Sequence, residues 1–152
     1  MIALIQRVTE AAVRVDEQTV GAIGHGLLAL IGVRRGDSRE SAGRLLERML
    51  GYRIFADEQG RMNRSVRDVG GGLLLVPQFT LAADTHQGTR PGFSTAAAPD
   101  HARELFTGLV EQARSLHTPV EGGIFGAHMS VSLVNDGPVT FWLESAHRAA
   151  QG

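Results

Sequence analysis

Runs of strand length gather at both ends of this chain and do not alternate with its two segments of helical spacing. A doubly wound parallel sheet needs strict alternation of strand and helix, so the order predicts an α+β fold with a mainly antiparallel or mixed sheet. Residues 2–8 are short and apolar. Residues 11–15 and 19–23 flank the polar Asp16-Glu17-Gln18, which reads as two strands around a turn. Residues 27–33 are almost continuously apolar, as a strand buried on both faces must be. Asp37-Ser38-Arg39-Glu40 has the chemistry of a helix start. Ala42, Leu45, Leu46, Met49 and Leu50 then recur at helical spacing, predicting a helix over 38–51.

Strand character resumes at 52–55, followed by a turn at 57–60 and a polar connection over 61–72. Residues 73–76 read as a second buried strand that runs directly into Pro77-Gln78-Phe79-Thr80-Leu81. A loop over 83–93 is long enough to suggest function. Pro99 and Asp100 open a second helix with Ala102, Leu105, Phe106, Leu109, Ala113 and Leu116 as its stripe, and Thr118-Pro119 ends it. Strands at 120–125, 129–134 and 139–143 complete a count of about eight strands and two main helices. Ser145 onward reads as a frayed end, giving one domain over 1–145 and a tail at 146–152.

Composition excludes several functions. At 152 residues one domain is expected, and such a domain buries roughly 68–70% of its unfolded surface without a staple. The absence of cysteine excludes disulfides, thiol catalysis and Cys-ligated zinc, and it fits a reducing cytoplasm. Met1-Ile2-Ala3-Leu4-Ile5-Gln6-Arg7 lacks a charged n-region and reaches Arg within a strand's length, so neither a signal peptide nor a membrane span is expected. The six His show no ligand-like spacing, so no metal is expected. His128 alone is placed in a strand, in a structural role. A net charge of −1 argues against bulk electrostatic coating of nucleic acid. All fifteen basic residues are Arg, and nine fall between 34 and 67. Arg suits phosphate through its planar fork, while a run of charges is also how a solvated helix face looks.

Two stretches carry chemistry. Asn135-Asp136-Gly137-Pro138-Val139-Thr140 lies between two predicted strands, and its Asn-Asp-Gly is turn chemistry, so a hairpin is one reading. Pro138 removes a ladder donor where pairing should resume and restricts Gly137, so a rigid corner open to a ligand is the other. At the downstream end of the 73–76 strand, Thr80 is the one candidate side-chain nucleophile. Asp84 and His86 are the only nearby bases. The same segment offers backbone instead: the Phe79 and Thr80 amides can form an oxyanion hole.

Gln78-Phe79-Thr80-Leu81 followed by Asn135-Asp136-Gly137-Pro138-Val139-Thr140 resembles the D-aminoacyl-tRNA deacylase family, also called D-tyrosyl-tRNA deacylase. The similarity extends through Ile5-Gln6-Arg7-Val8, Arg53-Ile54-Phe55, Asn63 with Ser65-Val66, Arg90-Pro91, Phe93 and Phe141-Trp142-Leu143. The resemblance implies a barrel-like sheet packed with two main helices, and a homodimer with active sites at the subunit interface. Gln78, Phe79 and Thr80 of one subunit would line the pocket. Gly137 and Pro138, joined by a cis peptide, would reach in from the other, held by Arg7. It implies no cofactor and no membrane. The substrate would be a D-amino acid, or glycine mischarged on tRNA-Ala, esterified to the terminal adenosine of tRNA, and proofreading in translation would be the purpose.

That chemistry is consistent with the residues. A D-residue and its L-isomer differ in where the side chain sits, so a filter needs an obstacle rather than a side-chain pocket. The Gly137 and Pro138 carbonyls would hold the substrate ammonium and leave no room on the L side. Hydrolysis would use the Phe79 and Thr80 amides with the 2′-hydroxyl of tRNA. The competing expectation is a non-catalytic RNA 3′-end or nucleotide-binding module, and a third is a Thr80 nucleophile acting on small esters. The chain departs from the family pattern at Pro77 and Gly92, where Ser is usual, and at His128, where Asp is usual.

Overall fold

A computed structural model describes residues 1–145, and the tail expected at 146–152 lies outside the described residues. The fold is α+β. Its strands are β1 Ile2–Val15, β2 Gln18–Ile23, β3 Gly26–Gly32, β4 Phe55–Ala56, β5 Met62–Arg64, β6 Gly72–Pro77, β7 Val120–Gly122 and β8 Ser130–Glu144. Helices α1 Arg39–Gly51, α2 Val66–Val69 and α3 Pro99–Leu116 are joined by a 3-10 helix over Phe79–Ala82.

Everything hangs on β1. Its first half pairs antiparallel with β3, from Ile2↔Gly32 to Val8↔Gly26, and its second half with β2, from Ala11↔Ile23 to Val15↔Gln18. Along the opposite edge lies β8, antiparallel from Ile2↔Glu144 to Arg14↔Ser130. β6 adds parallel to β3, and β7 parallel to β6, so the sheet is mixed, with order β2-β1-β3-β6-β7. Its ends approach each other: a Cβ on Gly21 of β2 would stand 3.3 Å from the Gly122 carbonyl of β7. The sheet is thus a nearly closed barrel.

Strand alternation divides the core in two. Leu27, Ala29 and Ile31 of β3, with Leu73 and Leu75 of β6, point one way and meet Leu45, Leu46 and Met49 of α1 and Leu105, Phe106 and Leu109 of α3. Leu28, Leu74 and Val76 point the other way and pack with Val8, Val13 and Ile23 inside the curl. This is why β3 and β6 read as unbroken apolar runs. α1 starts where its cap chemistry demands. Ser38 Oγ accepts from Ser41 N (3.3 Å) and Ser41 Oγ accepts from Ser38 N (3.0 Å), a reciprocal capping box.

Several expectations are corrected. The strand expected at 52–55 is reduced to Phe55, because Ile54 N donates to Tyr52 O (3.1 Å) in a tight turn that breaks the extended run. The polar connection 61–72 contains β5 and the single turn of α2. There Ser65 Oγ accepts from Asp68 N (3.1 Å) and Asp68 Oδ2 from Ser65 N (2.9 Å). β7 stops at Gly122 instead of reaching 125. His128 precedes β8 and is not in a strand. Ser145 is buried, not frayed: its amide donates to Met1 O (2.9 Å) and its Oγ accepts from the Met1 ammonium (2.8 Å), which also meets Asp37 Oδ1 at 2.7 Å.

The largest correction concerns the Asn135–Thr140 stretch, which is not a hairpin. The two strands expected on either side of it are one strand, β8. Thr140 pairs with Gln6 and Asn135 with Val8, so the intervening residues bulge out opposite Arg7 alone. The chain makes a corner without reversing direction.

Candidate active site

The site begins where β6 ends. Gln78 N donates to Ile31 O on β3 (2.7 Å). Alternation then aims the backbone N of residue 77 the other way, beside β7, which has already stopped opposite Leu75. Pro77 therefore lacks a donor at a place where no strand asks for one. After Gln78 the chain winds into the Phe79–Ala82 3-10 helix instead of continuing as strand. The first amides of such a helix have no acceptor within it. Leu81 N to Gln78 O (3.3 Å) is its first bond, which leaves those places to Phe79 and Thr80. The two amides expected at a strand end thus sit at a helix start.

Thr80 Oγ accepts a hydrogen bond from Gln78 Nε2. Asp84 and His86, the bases considered for it, bond to each other: Asp84 Oδ1 lies 3.0 Å from His86 N and 2.8 Å from His86 Nδ1. The His86 amide, and after it the His86 ring, hold the Asp84 carboxyl below its usual value of 3.8. Among the described residues neither base is hydrogen-bonded to Thr80, which argues against an activated side-chain nucleophile.

Two cavities flank this turn. One, of about 460 Å³, is lined by Val76, Pro77, Gln78, Phe79, Phe125, His128 and Met129 among others. The second, of about 540 Å³, takes in Thr80, Asp84, His86, Arg34, Ile2, Trp142 and Glu144. Phe79 is 58% exposed and tilts against Phe93, ring centroids 5.4 Å apart, so an aromatic pair stands open to solvent beside the turn.

The corner is built separately. The Gly137–Pro138 peptide is cis and Gly137 has φ +133°. Arg7 reaches across with Nε to Asp136 O (3.1 Å) and Nη1 to Ile54 O (2.8 Å), while Nε also meets Asp136 Oδ2 at 3.2 Å. Asn135 closes the other side: its Oδ1 accepts from Val139 N (2.9 Å) and its Nδ2 donates to Thr140 Oγ1 (2.9 Å). Asn135 was legible as turn chemistry and as part of the family motif, but its role in tying the two arms of the bulge together was missed. Ile54 was legible only within the Arg53-Ile54-Phe55 likeness to the family, and nothing in the sequence marked its carbonyl as the acceptor for Arg7.

The predicted site residues thus form two groups. Gln78, Phe79 and Thr80 are adjacent, and Arg7, Gly137 and Pro138 are adjacent, but neither cavity beside the turn is lined by the second group. The ladder explains the separation. Trp142 and Glu144, which line the second cavity, pair with Leu4 and Ile2, whereas the corner sits farther along, opposite Arg7. Within the Arg-rich segment, Arg35, Arg44, Arg61 and Arg67 are exposed, and others are engaged. Arg34, Arg39 and Arg64 pair with Glu144, Glu104 and Glu58, and Arg48 donates to Glu144 O (2.7 Å).

The family model for D-Tyr-tRNA(Tyr) deacylase matches residues 4–144. The chain belongs to this family. A protein of Thioalkalivibrio sulfidiphilus named D-aminoacyl-tRNA deacylase is 71% identical over 144 residues, covering 95% of this chain and 97% of that one. One of the same name from Alkalilimnicola ehrlichii is 63% identical over 150 residues, covering 99% and 100%. Among solved structures, a c-Myc DNA unwinding element binding protein superposes with a TM-score of 0.92 at 37% identity, covering 97% of this chain and all of that one. A probable eukaryotic D-amino acid tRNA deacylase superposes at 0.77 with 16% identity over 94% and 98%, a likeness of fold. Within this deacylase chain, the match spans both the Gln78–Thr80 turn and the Gly137–Pro138 corner. Among the described residues no three His, Cys, Asp or Glu side chains converge as metal ligands would, and no helix is long and apolar enough to cross a membrane.

Proposed function

We propose that this chain hydrolyses the ester of D-aminoacyl-tRNA, freeing the D-amino acid and tRNA, as cytoplasmic proofreading in translation, and that it does so as a homodimer. The observation that carries the reading is the pairing of two preorganised parts that one chain holds apart. A turn with two unpaired amides has no filter beside it, and a stapled corner has no catalytic turn beside it. A second copy that brings its corner to the first copy's turn completes both. β8 supports this. Among the described residues it pairs only with β1, leaving a 15-residue strand with an unpaired edge, and it exposes Val134 (50%) and Trp142 (49%). Long bare edges of this kind are normally covered.

The terminal adenosine enters the cavity beside Gln78 and Phe79, which sets the ester carbonyl oxygen against the Phe79 and Thr80 amides. Water adds to the carbonyl carbon, and the two N–H groups stabilise the oxyanion. The bond to the 3′ oxygen then breaks and that oxygen takes a proton. The 2′-hydroxyl positions the water, since Asp84 and His86, the bases nearest Thr80 in sequence, are bonded to each other. The partner's corner carbonyls accept from the substrate ammonium and fill the volume an L side chain would need. A D side chain projects to solvent, and glycine has nothing to clash, so glycine mischarged on tRNA-Ala is accepted too.

Single-turnover release of labelled tyrosine from D-Tyr-tRNA and L-Tyr-tRNA, with chelator present, tests the reading. Release from the D form alone is expected, by a protein that sediments as a dimer. Release from neither, with adenosine still bound, would establish a non-catalytic 3′-end binding module instead.

A further inference from the structure

We infer that Arg103 binds the 5′-phosphate of the terminal nucleotide, at the rim of the cavity formed by Gln78 and Phe79. The inference rests on reading that cavity as the adenosine site. Arg103 lies on α3, whose Pro99 and Ala102 line the cavity. Its guanidinium carbon stands 4.9 Å from the centroid of Phe125, which also lines the cavity. The next residue, Gly126, has φ +80°, and a Cβ there would meet Arg103 Nη2 at 3.3 Å. The guanidinium therefore lies close along residues 125–126, held by the ring face.

Its charge is unspent. Among the described residues no carboxylate forms an ion pair with Arg103 and no acceptor takes its N–H groups, while the neighbouring Glu104 pairs with Arg39 at 3.5 Å. The polar side chains lining the cavity are those of Gln78 and His128, and the rest of its wall is apolar. An apolar slot with one oriented cation at its mouth suits a flat heterocycle carrying a single anion. The guanidinium fork matches two phosphate oxygens at once. A nucleotide whose base and ribose fill the slot presents that anion at its 5′ oxygen.

Calorimetric titration with adenosine and with adenosine 5′-methyl phosphate, which has the single charge of a phosphodiester, separates the possibilities. Wild-type protein is expected to bind the phosphorylated probe about tenfold more tightly at low salt, the scale of one hydrogen-bonded charge. Arg103→Ala should close that gap while leaving adenosine affinity intact, which also shows that the variant is folded, and Arg103→Lys should retain part of it. On D-Tyr-tRNA, Arg103→Ala should raise KM rather than lower kcat. Equal affinity of wild-type protein for the two probes, or an equal loss of both in Arg103→Ala, would overturn the assignment to Arg103. Failure of the wild type to bind adenosine at all would overturn the reading of the cavity, and this inference with it.

Discussion

Gly137→Ala tests whether the corner is a chirality filter. At φ +133° an L residue costs about 1–3 kcal/mol. The added Cβ would stand 2.7 Å from Val139 Cγ2, 3.1 Å from Val139 N and 3.2 Å from Arg7 Nη2. Two of these neighbours are held in place. Val139 N is held by Asn135 Oδ1, and Arg7 by the carbonyls of Asp136 and Ile54. Giving up the first of those bonds costs about 1 kcal/mol, and giving up one from the charged guanidinium about 1.5–3. With either bond given up, the substitution therefore places about 2–6 kcal/mol on this one bulge. If the corner holds, the domain loses that stability, and at about 2–4 °C per kcal/mol the melting temperature falls measurably. If the corner relaxes, its carbonyls leave their places and L-Tyr-tRNA begins to be hydrolysed. Differential scanning calorimetry and the paired single-turnover assay read the two routes. A variant with both the melting temperature and the D-to-L ratio of the wild type would refute the reasoning.

Two further outcomes follow from the geometry. Thr80→Ala should keep turnover within about tenfold of wild type, whereas loss of a covalent nucleophile costs on the order of 10⁴–10⁶, so a collapse of single-turnover release with adenosine binding intact would restore the nucleophile. Asp68 is held below its usual 3.8, first by the Ser65 amide and then by the Ser65 hydroxyl. On acidification the unfolded chain takes up this proton first, so the stability Asp68 contributes is complete above pH 3.8 and is lost as pH falls through the lower folded value. Asp68→Asn should therefore flatten part of the acid limb of melting temperature against pH, and an unaltered limb would count against the capping box.

How much of this was legible varies with the range of the interaction. The β3 and β6 runs and the start of α1 were readable because burial on both faces and a Ser cap are written in adjacent residues. α2 escaped because a single turn has no periodicity to detect. Gln78-Phe79-Thr80-Leu81 looked like the end of a strand, and what winds it into a 3-10 helix is non-local: β7 has stopped and Gln78 is tied to Ile31. Turn chemistry at Asn135-Asp136-Gly137 is the same in a hairpin and in a bulge. The choice between them is made by β1, more than a hundred residues away, which is long enough to pair with both arms. The motifs named the two groups of candidate residues, but their distance from one another belongs to the β1–β8 ladder, and Arg103 belongs to no motif at all.

That ladder has a bearing on accuracy. A recognition element at the tip of a loop moves at the cost of a few local contacts and drifts on the fast timescale of loops. The Gly137–Pro138 corner projects from the interior of a strand pinned before and after it, by Val8 opposite Asn135 and by Gln6 opposite Thr140. Displacing it means unzipping the barrel's longest pairing. On the proposed reading of the corner as the chirality filter, its fidelity is a property of the global fold, so on heating discrimination should hold until the barrel itself unfolds and turnover is lost with it.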